Sequence, residues 1–64
     1  MNKTAHAANI ARLLVMRDTL RDMAGTYEDA GVYTLAYEIQ PAWEAVEVAL
    51  FEAESVRSIW EPLV

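Results

Sequence analysis

GTYEDAGVYTLAYEIQPAW, residues 25–43, decides how many helices this chain forms, because it holds both glycines and the first of two prolines. Gly25 reads as the residue just past a helix end, where a left-handed conformation carries no steric penalty. Thr26, Tyr27, Glu28 and Asp29 then read as a cap followed by acids in a first helical turn, where the positive end of the dipole favours them. Gly31 interrupts that element. From Val32 to Gln40 the pattern is double: Val32, Leu35, Ala36 and Ile39 share a helix face, whereas Tyr33, Leu35, Tyr37 and Ile39 alternate as in a strand. A lone strand has no partner for its backbone unless a second copy supplies one, which favours the helix. Pro41 cannot donate a hydrogen bond inside a helix but suits the first turn of a new one.

Outward from this stretch the pattern is simpler. Thr4 or Asn2 can cap a first helix, and Leu13, Met16, Leu20, Met23 and Tyr27 recur at alternating spacings of three and four, widened by Ile10 and Leu14. Residues 41–60, PAWEAVEVALFEAESVRSIW, run without a further breaker until Pro62. The expectation is an all-α single domain over 1–64, a compact bundle of about three helices at roughly 4–24, 28–39 and 41–60, with short antiparallel connections. Trp43, Val46, Ala49, Leu50, Ala53 and Trp60 fall on one face of the last helix, and Val48, Val56 and Ile59 extend the apolar arc past a half circle. Such a helix needs cover on two sides, from the same chain or from a second one.

Composition closes several routes. A chain of 64 residues is short enough that disulfides, a metal or oligomerisation usually reinforce it. There is no cysteine, and the single His6 leaves no zinc set, so no metal or other cofactor is expected. His6 lies near the start of the first helix, and a surface or helix-edge position is expected for it. Ser55 and Ser58 have no histidine near them in sequence, and pairs such as Glu44 with Glu47 or Glu52 with Glu54 lack the two-walled cleft that acid–base hydrolysis needs. The chain is not expected to be an enzyme. The start, MNKTAHAANIARLL, has neither the long apolar core nor the cleavage site of a signal peptide, and no stretch approaches the about 20 apolar residues of a membrane span. A soluble protein with no membrane association is expected.

Charge is the most asymmetric property. The formal charge is −5, and eight of the ten acids follow Tyr27, where Arg57 is the one base. Glu44, Glu47, Glu54 and Glu61 form a slanting stripe on the last helix, separated along the axis by about 4.5, 10.5 and 10.5 Å. One reading is a solvated face that keeps an apolar helix soluble. The other is a row of carboxylates set out as phosphates are, which a DNA-binding groove would accept in place of DNA. Helix surfaces commonly interleave Lys or Arg four residues on, and none follows Glu44, Glu47 or Glu54 at that spacing. Phe51 falls among these acids as a contact anchor or a seat for the middle helix, while Trp43 and Trp60 read as core. Direct nucleic-acid binding is disfavoured, because five bases against ten acids cannot neutralise phosphates.

Taken whole, the chain resembles the small anti-CRISPR proteins of phages and mobile elements, in particular those directed at type I-C systems. The likeness rests on length, on the start MNKTAHAANIARLL, on the acidic segment EIQPAWEAVEVALFEAE (residues 38–54), and on the lack of a catalytic motif. It implies a protein acting in the cytoplasm of a bacterial host, bound to the RNA-guided surveillance complex Cascade or to its recruited nuclease. An acidic DNA mimic of this class would dock on the DNA-binding surface of the large, PAM-reading subunit of Cascade. The class shares no motif, so the expected contact residues come from the helical wheel and the charge distribution: Glu28, Asp29, Glu38, Glu44, Glu47, Phe51, Glu54 and Glu61. The alternative is a small self-associating helical protein, such as an antitoxin or an assembly subunit, whose acids only solubilise it. Either could be a monomer or a homodimer.

Overall fold

The computed structural model describes the backbone of residues 2–60 and the side chains of residues 2–56. It holds two helices, not three: α1 (Lys3–Asp29) and α2 (Tyr33–Trp60), packed against each other as an antiparallel hairpin. The calls on the side chains of Ser58, Ile59 and Trp60, and on Glu61 and Pro62, lie outside the described residues.

α1 begins at Asn2, whose extended backbone and Oδ1 cap it by accepting the Ala5 N–H at 2.8 Å. Gly25 does not end it. The helix continues for another turn, and the true stop is Gly31, which takes the left-handed φ of +80°. Around it the Val32 N–H donates to the Tyr27 carbonyl at 2.8 Å and the Gly31 N–H to the Glu28 carbonyl at 3.0 Å. This crossed pair is the Schellman arrangement, and it satisfies carbonyls that the helix end would leave orphaned. Val32 accepts from the Ala36 N–H at 3.2 Å, so α2 starts at once. Residues 33–40 are helical, which settles the double pattern in favour of helix.

Pro41 does not open a helix either; it sits inside α2. With no N–H to offer the Tyr37 carbonyl, it removes one helical bond. Both Tyr37 and Pro41 are exposed, so water reaches the place where the bond is missing. The breakers that predicted a third helix are therefore accommodated within two long ones.

The seam between the helices follows a heptad rhythm. On α1 it runs His6, Ile10, Leu13, Arg17, Leu20, Ala24, Tyr27, and on α2 Ala36, Ile39, Trp43, Val46, Leu50, Ala53, with alternating steps of three and four. All of these are buried or half-buried, and His6, Ile10, Ala24, Ala36 and Leu50 are the buried residues among those described. Alternation of this kind keeps one narrow stripe of each helix facing its partner. The predicted face of α2 is borne out over Trp43, Val46, Ala49, Leu50 and Ala53. On α1 the predicted stripe is corrected: Leu13, Leu20 and Tyr27 face the seam, but Met16 and Met23 do not and are 50% and 42% exposed. His6 is likewise not at the surface. It is buried in the seam, and its Nε2–H donates to the Ala53 carbonyl at 2.9 Å, tying the open end of the hairpin together.

Candidate functional site

An antiparallel hairpin has two flanks beside its seam, and the heptad positions assign residues to each. One flank carries Leu14, Arg21 and Glu28 from α1 and Tyr33, Gln40, Glu47 and Glu54 from α2. Next to it, one step further round α2, lie Tyr37, Glu44 and Phe51. Every one of these residues is exposed. The flank therefore places acids beside aromatic rings along α2, with Tyr37 67% and Phe51 75% exposed. Exposed rings of this size are uncommon on a solvated surface, and Tyr in particular is enriched where partners bind.

Of the predicted contact residues, Glu44, Glu47, Phe51 and Glu54 come together here, and Glu28 lies on the same flank at its turn end. Gln40 Nε2 donates to Glu44 Oε1 at 3.1 Å and orients that carboxylate. Neither Glu44 nor Glu47 has a Lys or Arg three or four residues away on α2. Glu38 is not part of the group; with Glu52 it lies round the other side of α2. Tyr33 and Tyr37 belong to the flank but were missing from the predicted contacts. Their four-residue spacing was legible, and only the unbroken helix through Pro41 puts them in line with Glu44 and Phe51.

Glu28 and Asp29 lie at the turn end of the same molecule, both exposed. They are in the last turn of α1, not the first turn of a following helix as predicted, and that last turn contains no base. The negative end of the helix dipole disfavours acids by about 0.3–1 kcal/mol each. Their placement thus works against helix stability, and charge at this end is not explained by folding.

The other polar groups are engaged in ordinary helix chemistry. The Ser55 hydroxyl donates to the Phe51 carbonyl at 3.1 Å and that of Thr26 to the Asp22 carbonyl at 3.0 Å. Arg17 reaches Asp18 at 2.9 Å in a partly exposed pair of little energetic weight. Arg12 Nη1 donates to Asn9 Oδ1 at 3.2 Å. A shallow apolar depression of about 500 Å³, lined by Ala11, Arg12, Val15 and Met16, lies on α1 and offers no acid, base pair or nucleophile. Among the described residues no cluster of three or more His, Asp or Glu side chains is arranged to hold a metal ion, and no helix is long and apolar enough to cross a membrane.

No protein-family model matches the chain, and neither a curated protein nor a solved structure is similar to it.

Proposed function

We propose that this chain is a binding protein and not an enzyme, and that the acid–aromatic flank of α2 occupies a basic, nucleic-acid-binding surface of a protein partner. Following the likeness to type I-C anti-CRISPR proteins, the partner is Cascade, the surface is the DNA-binding one of its large PAM-reading subunit, and the place of action is the host cytoplasm. The observation that carries this reading is the pairing of exposed Glu44 and Glu47, with no Lys or Arg beside them on α2, with exposed Tyr37 and Phe51 on the same flank, which also carries Arg21 of α1. Carboxylates meet Lys and Arg that otherwise hold phosphates, and the rings supply the apolar contact that phosphates lack.

The test is target-DNA binding by purified type I-C Cascade with and without the protein, across a salt series. Loss of DNA binding that recovers as salt rises is expected, since steering charges are screened within about 8 Å at physiological ionic strength. Reversing both Glu44→Lys and Glu47→Lys turns attraction into like-charge contact and should weaken inhibition on the order of tenfold or more, with helix content unchanged. Undiminished DNA binding, or full inhibition by the reversed variant, would refute the proposal. A second reading, an antitoxin-like protein or assembly subunit whose acids only solubilise it, is favoured by Glu38 and Glu52, which carry charge to the other side of α2. Under it the reversed variant behaves as the wild type.

A further inference from the structure

The flank opposite the acids is largely apolar. It carries half-buried Asn9 with Met16 and Met23 from α1 and Leu35, Ala42, Ala49 and Val56 from α2, with no charged side chain among them. Met16, Met23 and Val56 are 50%, 42% and 38% exposed. The whole chain exposes 4716 Å², whereas a compact chain of 7.2 kDa exposes about 4,100 Å². Its radius of gyration is 15.0 Å, against about 11 Å for a compact chain of this length. A hairpin 50 × 15 × 14 Å is too thin to bury both sides of its seam, and among the described residues no side chain is completely buried.

We propose that a second copy of this chain covers this flank, giving a four-helix bundle with its two-fold axis along the hairpin. From Leu35 to Val56 the flank is about 32 Å long, from the 1.5 Å rise of each helical residue, and at most 15 Å wide. Its flat projection is thus about 470 Å², below the roughly 800 Å² per partner of a standard interface and on the scale of a concentration-dependent one. The shape is self-complementary about that axis. Long Met16 and Met23 line the α1 edge and Leu35, Ala42 and Ala49 the α2 edge; with His6 level with Ala53, the two-fold sets Met16 of each copy between Ala42 and Ala49 of the other and Met23 between Leu35 and Ala42. Electrostatics are compatible: two chains of charge −5 approach through their less acidic flanks, with exposed Glu38 and Glu52 at the rim where solvent reaches them, and the acid–aromatic flanks end on opposite outer sides. The interface is independent of the proposed function and leaves both acidic faces open.

Sedimentation equilibrium and a pair of spin labels test this. The wild type is expected at twice 7.2 kDa. Met16→Glu with Met23→Glu should return it to the mass of one chain, while Val15→Glu with Val48→Glu, on the outer surfaces, should leave it doubled. Because the first variant could simply unfold, the second measurement keeps all native side chains at the flank. The sequence has no cysteine, so Ala30→Cys labels the turn alone. The proposed axis puts both turns at one end, with labels within roughly 30 Å given interaxial distances of 8–10 Å. A wild type of single-chain mass, loss of the dimer in the outer-surface variant, or labels roughly 50 Å apart at opposite ends of helices this long would each overturn the proposal.

Discussion

The two glycines differ in what they do, and the difference is one dihedral angle. Gly31 has φ +80°, where a Cβ meets the backbone at a cost of about 1–2 kcal/mol. A Cβ at Gly25 meets nothing within 4 Å, and Gly25 is an ordinary helical residue inside α1. Gly31→Ala should therefore destabilise by about 1–2 kcal/mol, and Gly25→Ala should stabilise by about 0.5–1 kcal/mol. Urea denaturation of the two variants reads the opposite signs directly; equal signs would refute the assignment of the turn. The same scale explains why the stop was misplaced in the sequence. A glycine six residues before another looks equally able to end a helix, and only the bonds from Val32 and Gly31 back to Tyr27 and Glu28 choose between them. His6 was misread for a related reason. A lone imidazole near a helix start carries no sign that a carbonyl, that of Ala53, waits for it across the seam.

At the level of elements, the all-α class, the helical reading of residues 33–40 and the apolar face of α2 around Trp43, Val46 and Leu50 were legible, because each rests on periodicity. The division into three was not. It rested on Pro41, whose local preference is overridden by packing on both sides of it along the seam. The α1 stripe was displaced because Arg17 and His6 occupy seam positions while Met16 and Met23 lie beside it, so hydrophobicity pointed at the flank. The stripe of Glu44, Glu47 and Glu54 was legible as charge; Glu38, expected among the contacts, lies on the other side of α2, and Tyr33 and Tyr37 fall in line with the stripe because α2 is continuous. Pro41→Ala should restore a hydrogen bond to the Tyr37 carbonyl. Interior proline is about 3 kcal/mol worse than alanine in a helix, and proline's stiffening of the unfolded chain returns part of that. A net gain of about 1–3 kcal/mol is expected in thermal melts followed by circular dichroism. A loss would mean that Pro41 shapes α2 for its neighbour.

For the molecule as a whole, stability and association are one quantity if the thin hairpin completes its core with a second copy. Folding then depends on concentration, because a partner that binds only the folded chain stabilises it by mass action. The melting temperature should rise steadily between about 5 and 500 μM, several degrees in all for a domain of this size; a temperature independent of concentration would count against the bundle. The three-residue turn has its own consequence, in time and not in energy. Contacts across the seam start beside Gly31 between near neighbours in sequence and end at His6 and Ala53, 47 residues apart. Each contact shortens the loop that the next must close, so the chain assembles like a zip from the turn outward, the rapid regime of low-separation topologies. It opens in the reverse order, and the hydrogen bond of His6 is the last to form and the first to let go.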